Sequence, residues 1–374
     1  MIYLDNSATT LIKPEGVVKA MSGAFGNAGR GGHQLSLSSA KRIYACREEI
    51  GELFEAPMPE HVIFTKNGTE ALNLVILGSL EKDNHVVCTS MDHNAVIRPL
   101  TESGVDFTIA NADENGFVHA ASIKAALRPY TKLLILTHAS NVCGTLQRIA
   151  NLTEIAHQNG TEVLVDAAQS AGIIPLSMKK DGIDYLAFSG HKGLMGPQGT
   201  GVLILGKGKM PRPLQFGGTG SASEDTHQPL FLPDRYESGT LNSSGIAGLL
   251  ESVRYIKKVG LKEICEKKTF FVNRLLEGLL NIDGVRVYGP SDAEKRADAV
   301  AFNIEGWDCN ALGTVLEEEY EIYGRSGLHC APLAHCTVGS FECGGSMRLS
   351  PSYFTTLNEI DRALWCINRI AKRG

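Results

Sequence analysis

The stretch Asp184-Tyr185-Leu186-Ala187-Phe188-Ser189-Gly190-His191-Lys192 decides the fold, because it places a lysine just past an apolar run that predicts a strand. A glycine-rich turn, residues 193–201, leads into a second predicted strand, Val202-Leu203-Ile204-Leu205. Burying the charged amine of a lysine at the end of a strand costs free energy, so a lysine at such a position is expected to serve a chemical function. Desolvation makes its amine easier to deprotonate, and a neutral amine can attack a carbonyl. We therefore interpret Lys192 as a residue that forms an imine.

The residues around this stretch alternate between predicted strands and helices. Strands are predicted at 62–65, 85–88, 132–137 and 162–166, and helices at 69–80, from 94 onward, and at 149–158. Near-continuous apolar strands separated by helices indicate a mostly parallel sheet covered on both faces. The predicted fold class is therefore α/β, with a central sheet sandwiched by helices.

The chain is long enough for two domains, since 374 residues exceed the size at which one core usually stops growing. Residues 206–240 are rich in Gly, Pro, Ser and Thr and predict a long loop, which in a compact chain is usually functional. A long helical pattern and then a mixture of short strands and helices follow, which indicates a smaller α+β domain. We expect a large domain over residues 15–255 and a small domain formed by residues 1–14 and 256–374.

Bulk composition narrows the class of protein. The net charge of −5 argues against a nucleic-acid binder, which needs a basic face. No apolar run approaches the roughly 20 residues of a membrane helix, and the sequence from Met1 has no signal-peptide pattern. The nine cysteines are scattered and odd in number, which suits reduced thiols. We expect a cytoplasmic protein that binds neither nucleic acid nor membrane.

Ligands of open parallel sheets bind beyond the carboxyl ends of the strands, and the segment after residues 62–65 offers a helix start there. Gly68 lets the backbone turn tightly, and Thr69 opens the helix with a hydroxyl and free N–H groups. A helix N-terminus of this kind is a phosphate site. A plain capped helix start explains the same pattern.

Two further side chains follow predicted strands of the same sheet. His93 could lie flat on an aromatic cofactor or relay protons, although a lone histidine is often structural. Asn141 could hydrogen-bond a phenolic oxygen or a substrate carboxylate, or it could form an Asx turn before Gly144.

Asp166 ends the predicted strand 162–166 and, as a buried carboxylate, needs a partner. A pyridinium N–H is suitable, because an ionised aspartate keeps such a ring protonated; a helix N-cap is the alternative. Lys192 follows 26 residues later, which fits one strand-helix-strand step. Ser189 and His191 flank the lysine and offer a hydroxyl and an imidazole to a phosphate. Jointly these groups predict a site for pyridoxal phosphate (PLP).

A second constellation lies near the C-terminus. Cys330 lies in a loop punctuated by Gly and Pro, beside His329, and a neighbouring imidazole or arginine favours the reactive thiolate. Arg348 lies in a predicted short strand, where an arginine can clamp an amino-acid carboxylate through two parallel hydrogen bonds. For Arg325 and Arg348 the alternative is a structural ion pair.

The tract that contains His329, Cys330, His335, Cys336 and Cys343 could also suggest a metal site. Its spacings lack the close Cys-x-x-Cys pairs that are typical of structural zinc. We therefore expect no metal.

The chain resembles the class V aminotransferase superfamily, and within it the cysteine desulfurases and selenocysteine lyases. Seven motifs spread over nearly the whole chain carry the likeness: Tyr3-Leu4-Asp5-Asn6-Ser7-Ala8-Thr9-Thr10, Asn67-Gly68-Thr69-Glu70-Ala71-Leu72-Asn73, His138-Ala139-Ser140-Asn141-Val142-Cys143-Gly144-Thr145, Asp166-Ala167-Ala168-Gln169-Ser170, Ser189-Gly190-His191-Lys192, Glu237-Ser238-Gly239-Thr240 and Arg325-Ser326-Gly327-Leu328-His329-Cys330-Ala331. The last motif is similar to the catalytic loop of the second desulfurase group, in which that loop is short.

The resemblance implies PLP-dependent fold type I and a homodimer with the active site at the subunit interface. It implies Lys192 as the Schiff-base lysine and Cys330 as the nucleophile that forms a persulfide. It also implies the contacts of the cofactor ring: His93 stacked on it, Asp166 at the pyridine nitrogen and Gln169 at the phenolic oxygen. The phosphate would be held by Thr69, Ser189, His191 and the second subunit's Thr240. The substrate carboxylate would be held by Asn141 and Arg348, with Arg325 nearby.

The activity implied is removal of sulfur from L-cysteine, which gives L-alanine and a Cys330 persulfide for transfer to an acceptor protein. A selenocysteine lyase, a class V transaminase and a weakly active sulfur-delivery scaffold are the alternatives. The chain departs from the family at Asp92, where glutamate is common, and the resemblance assigns no role to Cys143, Cys336 or Cys343.

Overall fold

The computed structural model describes residues 1–24, 26–27 and 32–373. The strands in chain order are β1 (Ile2–Tyr3), β2 (Val62–Thr65), β3 (His85–Thr89), β4 (Asp106–Ala110), β5 (Thr131–Thr137), β6 (Glu162–Asp166), β7 (Tyr185–Ser189), β8 (Gly201–Leu205), β9 (Val285–Tyr288), β10 (Val300–Ile304), β11 (Ile322–Tyr323) and β12 (Met347–Leu349). The α-helices are α1 (Val17–Ser22), α2 (Gln34–Phe54), α3 (Gly68–Ser79), α4 (Asn94–Ser103), α5 (Ala120–Ala126), α6 (Ile149–Gln158), α7 (Ser243–Val259), α8 (Leu261–Leu280), α9 (Cys309–Tyr320), α10 (Pro332–Val338) and α11 (Leu357–Ala371).

The central sheet of the described chain has the strand order β2-β8-β7-β6-β5-β3-β4. The pairs from β7 through β4 are parallel, whereas β8 is antiparallel to both of its neighbours, β2 and β7. Helices α4, α5 and α6 connect β3 to β4, β4 to β5 and β5 to β6. The crossover from β6 to β7, residues 167–184, contains turns and no helix, so the helix predicted between Asp166 and Lys192 is wrong, although the two strands are parallel neighbours. The predicted α/β class with a mostly parallel sheet is confirmed.

The strands that carry the polar side chains are apolar over their length because both faces of the sheet are covered. All five residues of β7 are buried, and so are the last four of β6. The register pairs Asp166 on β6 with Ala187 on β7, which brings the carboxyl ends of the two strands side by side. Polar residues that follow these strands therefore meet at one edge.

Three hydrophobic clusters underlie the architecture of the described residues. One packs against the large sheet and includes Ile246, Val253 and Ile256 of α7. The second joins Leu4 to the inner faces of α8, α9 and α11 and to the small antiparallel sheet β12-β10-β9. The third also packs against the large sheet and includes the buried side chains of α3. The short parallel pair β1–β11 ties the N-terminal residues to the second cluster. The division into domains between residues 255 and 256 stays a prediction.

The long loop predicted at 206–240 is present: residues 206–242, between β8 and α7, contain neither helix nor strand. The carboxylate of Glu237 anchors it, since it accepts a hydrogen bond from the backbone N–H of Phe64 at 2.7 Å and forms a buried ion pair with Arg47. The loop is thereby held against β2.

The sequence interpretation assigned no elements to residues 34–54 or 106–126, which form α2, β4 and α5. In α2 the buried positions Ile43, Cys46, Ile50 and Phe54 recur at helical spacing among charged residues. That periodicity was a usable signal for a helix.

Within the part of the chain that the structure describes, no helix is long and apolar enough to span a membrane.

Candidate active site

Lys192 follows β7 and is partly buried at the carboxyl edge of the sheet. Burial lowers the pKa of its amine, and the charge of Arg348 acts in the same direction, whereas Asp166 partly opposes the shift. Lys192 also lies within electrostatic range of Asp298. Because burial is the largest of these influences, the amine loses its proton more easily than that of an exposed lysine.

Asp166 is the last residue of β6 and is buried. Its Oδ1 accepts a hydrogen bond from the backbone N–H of Ala168 at 2.8 Å. Burial raises the pKa of its carboxyl group, while that hydrogen bond and the charge of Lys192 lower it. A cationic N–H next to this carboxylate would offset the desolvation, so Asp166 fits the predicted partner of a ring nitrogen.

Of the residues predicted to hold a phosphate, Ser189 contacts Gly68 at the start of α3. The backbone N–H of Gly68 donates to Oγ of Ser189 at 3.1 Å, and a Cβ at Gly68 would lie 2.9 Å from that oxygen. Thr69 is exposed in the first turn of α3. Ring atom Nδ1 of His191 is buried and has no hydrogen-bond partner among the described residues. The set offers hydroxyls, a free ring nitrogen and a helix N-terminus to an anion.

His93 serves as the N-cap of α4, and its Nδ1 accepts a hydrogen bond from the backbone N–H of Ala95 at 3.0 Å. Burial, with the nearby charges of Lys192 and Arg98, lowers the pKa of His93 to about 4. The ring is therefore neutral at physiological pH. Since Nδ1 is an acceptor, the single ring proton resides on Nε2.

Gln169 and Asn141 are buried, and the side-chain amide of each donates a hydrogen bond to a backbone carbonyl group. Nε2 of Gln169 donates to the carbonyl oxygen of Ser7 at 3.1 Å. Nδ2 of Asn141 donates to the carbonyl oxygen of His329 at 2.6 Å. Asn141 therefore contacts the loop that carries Cys330.

Cys330 is exposed and lines an open cleft of about 500 Å³ together with Thr69, His93 and Asn94. Its carbonyl oxygen accepts a hydrogen bond from the backbone N–H of Asn94 at 2.8 Å. The structure thus brings the predicted thiol and the predicted ring-stacking histidine into one cleft.

Arg325 and Arg348 share a carboxylate that the sequence interpretation did not assign. Nη2 of Arg348 lies 2.9 Å from Oδ1 of Asp5, and Nε of Arg325 lies 3.0 Å from Oδ2. Arg348 also donates from Nη1 to the carbonyl oxygen of Asn141 at 2.6 Å, while its buried Nε has no partner among the described residues. The structural ion pair considered for both arginines is present, and the Nε–H group of Arg348 remains as a donor for a ligand.

Asp298 is a second carboxylate missed from the sequence. It is buried, its Oδ1 has no hydrogen-bond partner within the described residues, and it lies in electrostatic range of Lys192 and Arg348. Nothing in the local sequence distinguishes it from a surface aspartate. Asp5, in contrast, belongs to the quoted opening motif.

Thr240 and the unassigned cysteines lie outside this cleft. Thr240 is exposed on the 206–242 loop and lines a separate open cleft with Lys66 and Glu70. Cys143 is buried, with Sγ 3.1 Å from the hydroxyl of Thr145. Cys336 and Cys343 are exposed.

The cysteine and histidine tract is not arranged as a metal site. Nδ1 of His329 and Nε2 of His335 face one another at 3.0 Å. Over the described residues, no group of three or more His, Cys, Asp or Glu side chains is placed to hold a metal ion.

The model of the aminotransferase class-V family matches residues 2–363. A probable cysteine desulfurase of Methanothermobacter thermautotrophicus is 35% identical, over 100% of this chain and 95% of the relative. A cysteine desulfurase of Klebsiella pneumoniae is 31% identical, over 100% of this chain and 94% of the relative.

Solved structures agree with these relatives. The apo cysteine desulfurase of Thermococcus onnurineus superposes with a TM-score of 0.93 at 32% identity, over 100% of this chain and 95% of that one. The cysteine desulfurase CsdA of Escherichia coli gives a TM-score of 0.87 at 25% identity, over 99% of this chain and 94% of that one.

The chain belongs to the class V aminotransferase family, a family that is generally PLP-dependent, and it has the PLP fold type I. Within that family it belongs with the cysteine desulfurases.

Proposed function

We propose that this protein is a PLP-dependent cysteine desulfurase, which converts L-cysteine to L-alanine and takes the sulfur onto Cys330. The observation that carries the proposal is the exposed Cys330 thiol in the same cleft as His93 and the N-terminal turn of α3. A transaminase has no use for a thiol at that position. The names of the relatives support the same activity.

The residues at the carboxyl edge of the sheet fit PLP by the chemistry of their donors. The unpartnered Nδ1 of His191, the Ser189 hydroxyl beside Gly68, and the buried Asp166 are the features that match the group. The residues that would hold it are Gly68, Thr69, His93, Asn141, Asp166, Gln169, Ser189, His191, Lys192 and Thr240 of the partner subunit. When bound, PLP withdraws electrons from the carbon atoms of an amino-acid substrate.

Lys192 would bond the cofactor aldehyde through Nζ and, once displaced by substrate, would carry a proton at that atom. A neutral amine is needed for both tasks, and burial supplies it by lowering the pKa of Lys192. Neutral His93 carries its ring proton on Nε2 and lines the same cleft as Cys330. It is suited to donate a hydrogen bond rather than to add a charge.

Cys330 would act on the sulfur of the substrate. Its thiolate sulfur forms a bond to the substrate sulfur as the substrate Cβ–S bond breaks. The electron pair of that bond stays on carbon, which gains a proton and leaves as the methyl group of alanine. Cys330 ends as a persulfide, and an acceptor thiol takes the outer sulfur by exchange.

Arg348, Asn141 and Arg325 would orient the substrate through its carboxylate. Nε of Arg348 has no hydrogen-bond partner in the described part of the chain, whereas Nη2 and Nη1 contact Asp5 and Asn141. The side chain of Arg325 is about half exposed and lies at the same Asp5 carboxylate. A carboxylate between the two arginines would complete their pairing.

A homodimer is part of the proposal, with Thr240 reaching the phosphate of the partner subunit's site. Large apolar side chains are exposed on α2 and on the loop 206–242, among them Leu35, Leu37, Leu230 and Phe231. Such surface is typical of an interface. All nine cysteines are free, which suits the reducing cytoplasm in which we expect the protein to act.

The test is turnover of L-cysteine by the PLP-loaded protein, with alanine and sulfide measured in the presence and absence of a thiol reductant. We expect equal amounts of alanine and transferable sulfur, and no stimulation by keto acids. A keto-acid requirement would indicate a transaminase, and turnover of selenocysteine alone would indicate a lyase.

A further inference from the structure

A chain of hydrogen bonds runs behind Cys330 and takes no part in the function proposed above. Oγ of Ser340 lies 2.7 Å from Nδ1 of His335, and Nε2 of His335 lies 3.0 Å from Nδ1 of His329. Nε2 of His329 lies 3.3 Å from the carbonyl oxygen of Arg325. His335 and Ser340 are fully buried, and His329 is almost so.

The donor and acceptor in each of these hydrogen bonds follow from the group at one end, the carbonyl oxygen of Arg325. The Arg325 carbonyl can only accept, so Nε2 of His329 carries the proton of a neutral ring and Nδ1 accepts. Nε2 of His335 must then donate, which leaves its Nδ1 to accept from the Ser340 hydroxyl. Burial lowers the pKa of both histidines, to about 4 for His335, and the charge of Arg348 adds to the effect. Two neutral rings therefore satisfy the three contacts of this chain of hydrogen bonds.

The chain of hydrogen bonds ends on a strained piece of backbone. His329 and Cys330 have φ angles of 48° and 57°, both in the left-handed region. That region costs roughly 1–2 kcal/mol for each residue other than glycine, so two in succession persist only when their surroundings hold them. Asn141 and the backbone of Asn94 hold the two carbonyl groups. The side-chain anchor is the histidine pair.

We propose that His335, supported by Ser340, is a positioning residue for Cys330: it fixes His329, and through it the left-handed backbone that presents the thiol to the cleft. The inference rests on the proposed desulfurase function. It assigns His335 to the sulfur-transfer step alone, because His335 contacts His329 rather than the residues of the cofactor site. Lys192, Asp166 and the phosphate contacts are independent of it.

The experiment compares two reactions of the PLP-loaded protein. Desulfuration of L-cysteine needs attack by Cys330, whereas loss of chloride from β-chloro-L-alanine needs no thiol. For His335→Leu we expect kcat for alanine formation from cysteine to fall by about 10- to 100-fold, as misplacement of a reacting group by an ångström does. KM for cysteine and chloride release should stay within about twofold of wild type.

Three further variants distinguish a positioning role of His335 from a general loss of structure. His335→Gln retains an amide N–H for His329 and an oxygen for the Ser340 hydroxyl, so we expect it to recover most of the lost rate. Ser340→Ala should show a smaller loss. Thr337→Ala is the matched control and should behave as wild type, because Thr337 lies on the same helix and its hydroxyl donates to the Leu333 carbonyl. If His335→Leu fails to fold, the glutamine and Ser340 variants carry the test.

A readout without cofactor or turnover is amide hydrogen exchange of residues 325–331 in the apoprotein. Protection there should fall in His335→Leu and be regained in His335→Gln. Wild-type alanine release by His335→Leu, equal loss of both reactions, or no recovery with glutamine would overturn the inference. A wild-type protein that releases no alanine but shows the predicted exchange pattern would instead overturn the proposed function and leave the positioning role.

Discussion

Arg348 donates from Nη2 to Oδ1 of Asp5 at 2.9 Å, which links the short strand β12 to the segment just after β1. The Arg348 side chain is almost wholly buried, with 3% of its surface exposed. Burial lowers the pKa of this guanidinium, and Asp5 is the first influence that opposes the shift. The arginine predicted to clamp the substrate is therefore held in place by an internal carboxylate.

Asp5→Ala should destabilise the protein by about 3 kcal/mol, since removal of one partner leaves a buried charge uncompensated. The measurement is the free energy of unfolding in urea. Glu319→Ala is the control, because Glu319 pairs with Arg373 on the surface and should contribute at most about 1 kcal/mol. Equal losses in the two variants would contradict the view that burial of Arg348 makes the Asp5 pair important.

Lys192→Ala should abolish covalent attachment of PLP. Borohydride reduction fixes an imine permanently, so the intact mass of reduced wild-type protein should include the cofactor and that of the variant should not. Lys268→Met is the matched control: Lys268 is also buried with a lowered pKa, but its Nζ donates to the carbonyl oxygen of Arg296. Cofactor fixed in the Lys192 variant, or lost in the Lys268 variant, would refute the assignment.

Cys330→Ser should retain bound PLP and lose at least about 100-fold in alanine formation from cysteine, because the substrate sulfur then has no thiolate to receive it. The rate of alanine release measures this loss. Cys336→Ser and Cys343→Ser are the controls, since both thiols are exposed on the same tract. A control variant that loses as much activity as Cys330→Ser would move the nucleophile to that position.

The buried histidines predict how stability changes with acid. Burial lowers the pKa of His138 to about 4, so the folded state resists a proton that the unfolded chain takes up below about pH 6.5. Stability from this group is complete above pH 6.5 and is lost as pH falls toward 4. When the pH falls from 7 to 5, the free energy of unfolding of the wild type should decrease by about 2 kcal/mol more than that of His138→Asn.

Asp92 changes stability in the opposite sense, so the effect of His138 is seen in the difference between wild type and variant. Burial raises the pKa of Asp92 to about 7, so the folded state gains a proton first at that carboxyl group. Urea unfolding at the two pH values measures the difference. The exposed His227→Asn variant should leave the difference at zero, and a His138 variant that matches wild type would contradict the prediction.

The sequence was sufficient for the sheet and for the residues that follow its strands. The apolar runs at β5, β6 and β7 predict buried parallel strands, and one edge of such a sheet collects their next residues, which include Asp166 and Lys192. The 26-residue spacing of that pair is a consequence of one crossover. These inferences use contacts that are local or that the sheet topology dictates.

The contacts that escaped prediction join distant parts of the chain. The pairing of Asp5 with Arg348 spans most of the sequence and depends on the register of β1 against β11. The bond between His329 and His335 depends on the turn that leads into α10, with two left-handed residues that no glycine signals. Tertiary packing, rather than periodicity, sets both.

Transfer of the substrate sulfur to Cys330 can be followed in a single turnover. PLP-loaded protein is mixed with one equivalent of L-cysteine without reductant, alkylated, digested and analysed by mass spectrometry, with alanine measured in parallel. The account predicts one persulfide on the peptide that contains Cys330 for each alanine formed. Alanine without sulfur on Cys330, or a persulfide confined to Cys336 or Cys343, would contradict it.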